Sequence, residues 1–148
     1  VVFIALAVLA AGGAAWALDT NTLTVSASVT GTCKFSTGTS TLNFPALDPS
    51  NPVLVNGSTT TNFWCTKGVP LATLGAGNGT YYSGGSRRMS GPGGDFIPYS
   101  LTLTPDGLSN AGPVTPRMLT IAGSVLATDY TGVTTGAYLD TVTLSISP

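Results

Sequence analysis

In the longest apolar segments of the mature chain, the apolar side chains return at every second position. Ile97, Tyr99, Leu101 and Leu103 alternate with Pro98, Ser100 and Thr102. Leu23, Val25, Ala27 and Val29 alternate with Thr24, Ser26 and Ser28, and Val142, Leu144 and Ile146 repeat the pattern near the last residue. A period of two sends successive side chains to opposite faces of a strand, so each segment specifies a strand with one buried face. Thr and Ser, 24 and 14 residues, fill the polar phase, while Glu is absent. Helices favour Glu, Lys, Arg, Gln and Ala on their exposed faces, so a bundle or doubly wound fold is disfavoured. Strands are expected at Thr59–Thr66, Val69–Leu74, Leu119–Val125 and Ala137–Ser147, with loops at Asp48–Pro52 and Gly75–Gly94. Turns about every ten residues then describe an all-β sandwich of roughly seven strands. Phe63, Tyr99, Leu101, Leu103, Ile121, Val142 and Leu144 form its expected core.

Residues 1–17 read as a signal peptide. The run from Val1 to Leu18 is uncharged and apolar, and Ala15-Trp16-Ala17 has the small-x-small form of a cleavage site. The competing reading is a retained membrane anchor, for which the run has near the minimum length. Two cysteines, Cys33 and Cys65, suit one disulfide in an exported, Cys-poor β domain. A metal or redox pair lacks support, because the chain has no His and the spacing is not C-x-x-C. A bridge demands Cα atoms within about 4.4–6.8 Å.

Chemistry is sparse. Eleven residues are charged: Lys34, Lys67, Arg87, Arg88 and Arg117 against six Asp. Nucleic acid is an unsuitable partner, since phosphate neutralisation needs clustered Lys or Arg. General acid–base catalysis has only scattered Asp to draw on, which leaves a paired-Asp glycosidase as the remaining enzymatic alternative. The run Gly75-Ala76-Gly77-Asn78-Gly79 lacks the Lys-Ser/Thr ending of a phosphate loop and reads as a turn. The reading is a protein with no catalytic residues, no metal, no cofactor and no small-molecule substrate.

Several separated motifs together resemble the spore coat protein U domain family, which includes subunits of archaic chaperone–usher pili. They are Phe63-Trp64-Cys65-Thr66-Lys67-Gly68, Leu74-Gly75-Ala76-Gly77-Asn78, Arg87-Arg88-Met89, Ile97-Pro98-Tyr99-Ser100-Leu101, Leu119-Thr120-Ile121-Ala122-Gly123 and Gly136 through Leu144. Their order spans residues 33–146. The family often ends in an aromatic residue, whereas this chain ends Ile146-Ser147-Pro148. The resemblance implies an immunoglobulin-like β-sandwich lacking its final strand, with the gap filled by donor-strand complementation. A periplasmic chaperone would fill it first, and the tail of a neighbouring pilus subunit, in a homo- or hetero-polymer, would replace it at an outer-membrane usher.

On that scheme residues 18–32 are a donor tail and 33–148 the sandwich. Leu23, Val25, Ala27 and Val29 are the donor residues, and Val142, Leu144 and Ile146 edge the acceptor groove. The last expected strand stands at the end of the sequence, so no further segment is expected to close the sheet. Burying Leu23, Val25 and Val29 is worth about 1.5–3 kcal/mol each. Whole-domain stability is only about 5–15 kcal/mol, so an unfilled groove is expected to leave the subunit marginal. The implied function is a structural subunit of a fibre at the cell surface, reached by export through the periplasm. Alternatives are a spore or cyst coat protein of the same fold, or an adhesin module binding through Gly75–Gly94 and Asn110–Arg117. A further one makes Leu23–Val29 the first strand of a self-sufficient sandwich.

Overall fold

The computed structural model describes residues 18–70 and 73–148 of the chain. The expected leader, residues 1–17, lies outside them. Among the described residues no helix is long and apolar enough to cross a membrane. The described residues form seven strands in order: β1 (Cys33–Phe35), β2 (Val55–Cys65), β3 (Thr73–Ala76), β4 (Arg87–Ser90), β5 (Phe96–Pro105), β6 (Arg117–Val125) and β7 (Leu144–Ser147). One sheet has the order β1-β2-β6-β5-β4, and β3 pairs with β7 in a second. Every pairing is antiparallel.

The period of two decides β2, β5 and β6. On β6, Arg117, Leu119, Ile121 and Val125 are buried while Met118 points outward. On β2, Val55, Thr61, Phe63 and Cys65 are buried. The outer phase carries Ser58, Thr60, Thr102 and Thr104, as the alternation of Thr and Ser required. β2 starts earlier than expected, at Val55, because Asn56 and Gly57 go on pairing with Ser124 and Gly123.

Buried residues form two clusters. Phe63, Cys65, Leu119 and Ile121 lie toward one pole; Val55, Ile97, Val125 and Tyr130 lie toward the other. Between them Gly57 and Gly123 face each other in register, leaving the sheet without side chains there. Leu42 and Phe44 lie over that gap. A Cβ on Gly123 would meet both at 3.0 Å, and one on Gly57 would meet the Asn43 carbonyl at 2.8 Å. The notch needs glycine because backbone and packed rings close on it from above.

Residues 18–32 carry no secondary structure, so the alternative that made Leu23–Val29 the first strand of a self-sufficient sandwich does not hold within this molecule. A strand needs a partner for its backbone groups, and no described segment offers one there. Three expectations are corrected. Of the expected strand Val69–Leu74, residues 71–72 lie outside the described residues, Val69 and Pro70 carry no secondary structure, and the strand observed is β3, Thr73–Ala76. β4 lies inside the expected Gly75–Gly94 loop, held by pairing Arg87–Ser90 to Phe96–Tyr99. The strand expected over Ala137–Ser147 shrinks to β7. Leu139 exchanges two hydrogen bonds with Ser90 of β4, at 2.9 and 3.0 Å, while Thr143 accepts from Gly77 N–H at 2.8 Å. The segment therefore crosses from one sheet to the other and cannot keep a single ladder.

Of the seven expected core residues, Phe63 and Ile121 are buried, whereas Tyr99, Leu101, Leu103, Val142 and Leu144 are half-buried. None of the seven is exposed, so the register holds. For Tyr99, Leu101, Val142 and Leu144 the partial exposure has one cause, described next.

Candidate functional site

An open groove of about 970 Å³ runs along the inner face of the larger sheet. Its floor is Thr59 and Thr61 of β2, Ile121 of β6, and Ile97, Tyr99 and Leu101 of β5. One wall is the irregular stretch 37–47, and the other is 133–144. A shallower continuation of about 520 Å³ lies between Lys34–Gly38 and Leu144–Ile146. A sandwich buries its sheets face to face; here the second sheet has only two strands, and the floor stays half-open. Tyr99 and Leu101 of the floor thus keep contact with solvent, while Ile97 and Ile121 beneath the walls are buried.

Both walls present unpaired backbone. Residues 37–47 form no backbone–backbone hydrogen bonds among the described residues. On the other wall the pattern follows from one bond. Thr143 accepts from Gly77, so in the β3–β7 register Ser145 and Ser147 also direct their backbone toward β3. Antiparallel neighbours alternate in this respect. Val142, Leu144 and Ile146 therefore aim their N–H and C=O groups away from β3, at the groove. Their side chains meanwhile turn inward and are half-buried.

The groove's outer wall is braced by polar contacts. Tyr99 Oη donates to Asp140 Oδ2 at 2.6 Å, and Asp140 Oδ1 accepts from the Thr80 N–H at 2.8 Å. Burial, reinforced by the Asp140 carboxylate, pushes the Tyr99 phenol far above its ordinary value, so it stays a donor. Arg87 donates through Nε to the Gly77 carbonyl at 2.8 Å and through Nη2 to Ala76 at 2.9 Å, tying β4 to β3. Among the described residues no three Asp or Cys side chains gather as a metal cage would require. These groups hold a shape; they do not form a proton-transfer pair.

The tail lies apart from all this. Leu23, Val25 and Val29 are 83%, 83% and 85% exposed, and Ala27 is exposed with them. Order begins at its root. Thr66 donates its N–H to the Thr32 carbonyl at 2.9 Å, and Thr32 N–H donates to Thr66 Oγ1 at 3.0 Å. Cys33 and Cys65 are disulfide-bonded with Cα atoms 4.0 Å apart, closer than the window given above. They oppose each other directly in the β1–β2 register, and the bonds at 32–66 and 36–62 make theirs a non-hydrogen-bonded pair. Such pairs bring Cα atoms to about 4.5 Å, nearer than other antiparallel positions.

Sequence reasoning named one wall and missed the other. Leu42-Asn43-Phe44 carried a short alternation that was visible, but only the Gly57–Gly123 notch gives it a place. The family model described as Spore Coat Protein U domain matches residues 19–145, which takes in the tail, the floor and both walls. No curated protein matches the chain.

Proposed function

We propose, from the premise that this chain belongs to the Spore Coat Protein U domain family, that it is a fibre subunit assembled by donor-strand exchange. The family is one of structural pilus or coat domains. In this reading residues 18–32 are the donor tail and residues 33–148 the acceptor sandwich. The tail of one copy lies in the groove of the next, with a periplasmic chaperone holding the groove beforehand and an outer-membrane usher directing exchange. The product is an archaic chaperone–usher pilus at the cell surface.

The observation that carries the reading is that one chain holds two unfinished halves. It has a fully exposed strand-patterned tail and a groove whose walls present free backbone over an apolar floor. Strand addition joins such halves, with main-chain bonds giving affinity and alternate side chains entering pockets. Self-docking would leave the tail buried, and it is not. The same chemistry serves a coat protein, which differs only in what the polymer covers.

The test is Val25→Asp with Val29→Asp. A carboxylate cannot enter an apolar pocket without a large desolvation cost. Chaperone-bound subunit should accumulate as usual while fibres fail to form. Normal fibres from that variant refute donor-strand exchange through this tail.

A further inference from the structure

The two poles of the domain carry separate exposed apolar residues. One pole holds the tail's root: Cys33 and Cys65 lie there, and Gly112 of the loop between β5 and β6 donates its N–H to the Cys65 carbonyl at 3.1 Å. That loop exposes Leu108 and Val114, the latter 93% exposed. At the opposite pole β2 begins and β6 ends, with Val55 paired to Val125. Val53, Leu54 and Leu126, which flank that pair, are exposed.

Chain length makes the two poles meet. This step rests on the donor-strand reading. Only Thr30 and Gly31 separate the last donor residue, Val29, from Thr32, which is fixed to Thr66. The three Cα steps from Val29 to Thr32 span at most about 11 Å. Whichever end of the acceptor groove receives Val29, the donor's root pole must therefore lie directly against it. The end beside Leu144–Ile146 is already taken by the acceptor's own root, where Gly31 lies so near Val69 and Pro148 that an added Cβ would meet Val69 Cγ2 at 3.1 Å. The other end lies beside Phe44 and Tyr130. Tyr130 Oη bonds both the N–H and the carbonyl of Val53, so this end opens at the Val53–Leu126 pole. The groove runs between walls of opposite direction, so a strand entering this way is antiparallel to β7, the slightly more stable pairing.

We infer that a second, apolar contact joins consecutive subunits outside the groove, in which Leu108 and Val114 of one copy pack on Val53, Leu54 and Leu126 of the next. The partner is a second copy of this chain, in a heterologous head-to-tail contact. No charged side chain belongs to either set, so packing one set on the other buries no unpaired charge. The groove supplies the hold between subunits, and this contact fixes the angle between them. It makes a semi-rigid rod of what would otherwise be beads on two-residue hinges.

The test compares fibres assembled from the full chain, from Val114→Asp, from Leu126→Asp, and from Val114→Asp combined with Leu126→Lys. Both positions are exposed, and circular dichroism of each subunit verifies the fold. Single variants should form fibres in normal yield, with a shorter persistence length on micrographs. Their disassembly in denaturant should be about tenfold faster, and the opposite-charge pair should recover part of the loss. Single-variant fibres as stiff and durable as the parent overturn the inference, as does a charge pair no better than the worse single. The groove reading fails separately, when Val25→Asp fibres assemble like the parent.

Discussion

Arg117 is almost wholly buried, and a buried guanidinium survives only with its partners in place. Its Nε and Nη2 lie 2.9 and 2.8 Å from Asp106 Oδ1, and its Nη1 donates to Asn110 at 3.1 Å. Its Cζ sits 5.1 Å from the Phe63 ring centroid, the residue opposite it in register. Removing the carboxylate strands the cation, so Asp106→Ala should lower stability by about 3–5 kcal/mol, read as a fall in the urea midpoint. The pH dependence has a definite sign. Burial by itself would raise the Asp106 pKa, but the N–H groups of Met118 and Leu108 and the Arg117 cation outweigh it and hold it below 3.8. A depressed folded-state value stabilises above the unfolded value, and the gain is lost as pH falls through the folded one. Acid unfolding of the parent should therefore steepen below about pH 4, and Asp106→Ala should lack that component. At this scale the sequence was silent: five scattered cations gave no hint that one would be buried, because only folding sets Arg117 opposite Phe63.

Among the elements, β7 and the residues that lead into it present two edges with different duties. Ser145 faces β3 with its backbone, whereas Val142 faces the groove. Proline removes one N–H and therefore tests each edge separately. Val142→Pro should leave the subunit folded and chaperone-bound but slow its uptake of a donor strand. Ser145→Pro should instead lower the thermal midpoint of the subunit, because it breaks the β3 ladder. Equal effects from both, measured by melting and by strand-exchange rate, contradict the assigned backbone directions. β5 and β6 were legible in the alternation because each lies in one sheet throughout. β4 was hidden by its Gly and Ser neighbours, and β1 has only three residues of pattern. The alternation of Leu23–Val29 reported an amphipathic segment correctly, but a period of two carries no information about which molecule supplies the partner strand.

At the scale of the whole molecule, four expected interior residues, Tyr99, Leu101, Val142 and Leu144, stay half-open to one groove. Filling that groove should raise stability by simple linkage. A synthetic peptide of residues 18–32, at about one hundred times its dissociation constant, should stabilise the subunit by about 2.7 kcal/mol. Thermal unfolding with rising peptide concentration measures it, and the Val25→Asp peptide is the control. An unchanged midpoint with the parent peptide would mean that the groove does not take this strand. That the chain is an all-β sandwich was readable from period and punctuation alone, whereas the groove was reached only through the family resemblance. No local pattern marks the place where a sheet lacks a neighbour.

The cross-strand disulfide acquires a mechanical meaning in a fibre under tension. In the proposed fibre, load entering through one tail meets the Thr32–Thr66 bonds and then Cys33, at the end of a strand only three residues long. Hydrogen bonds alone would there be pulled apart one after another, like a zip. The covalent link to Cys65 instead passes the force into β2, an eleven-residue strand flanked by β1 and β6. There many bonds resist together in shear. The point where each link of the chain is most exposed to peeling is thus the point at which it is welded.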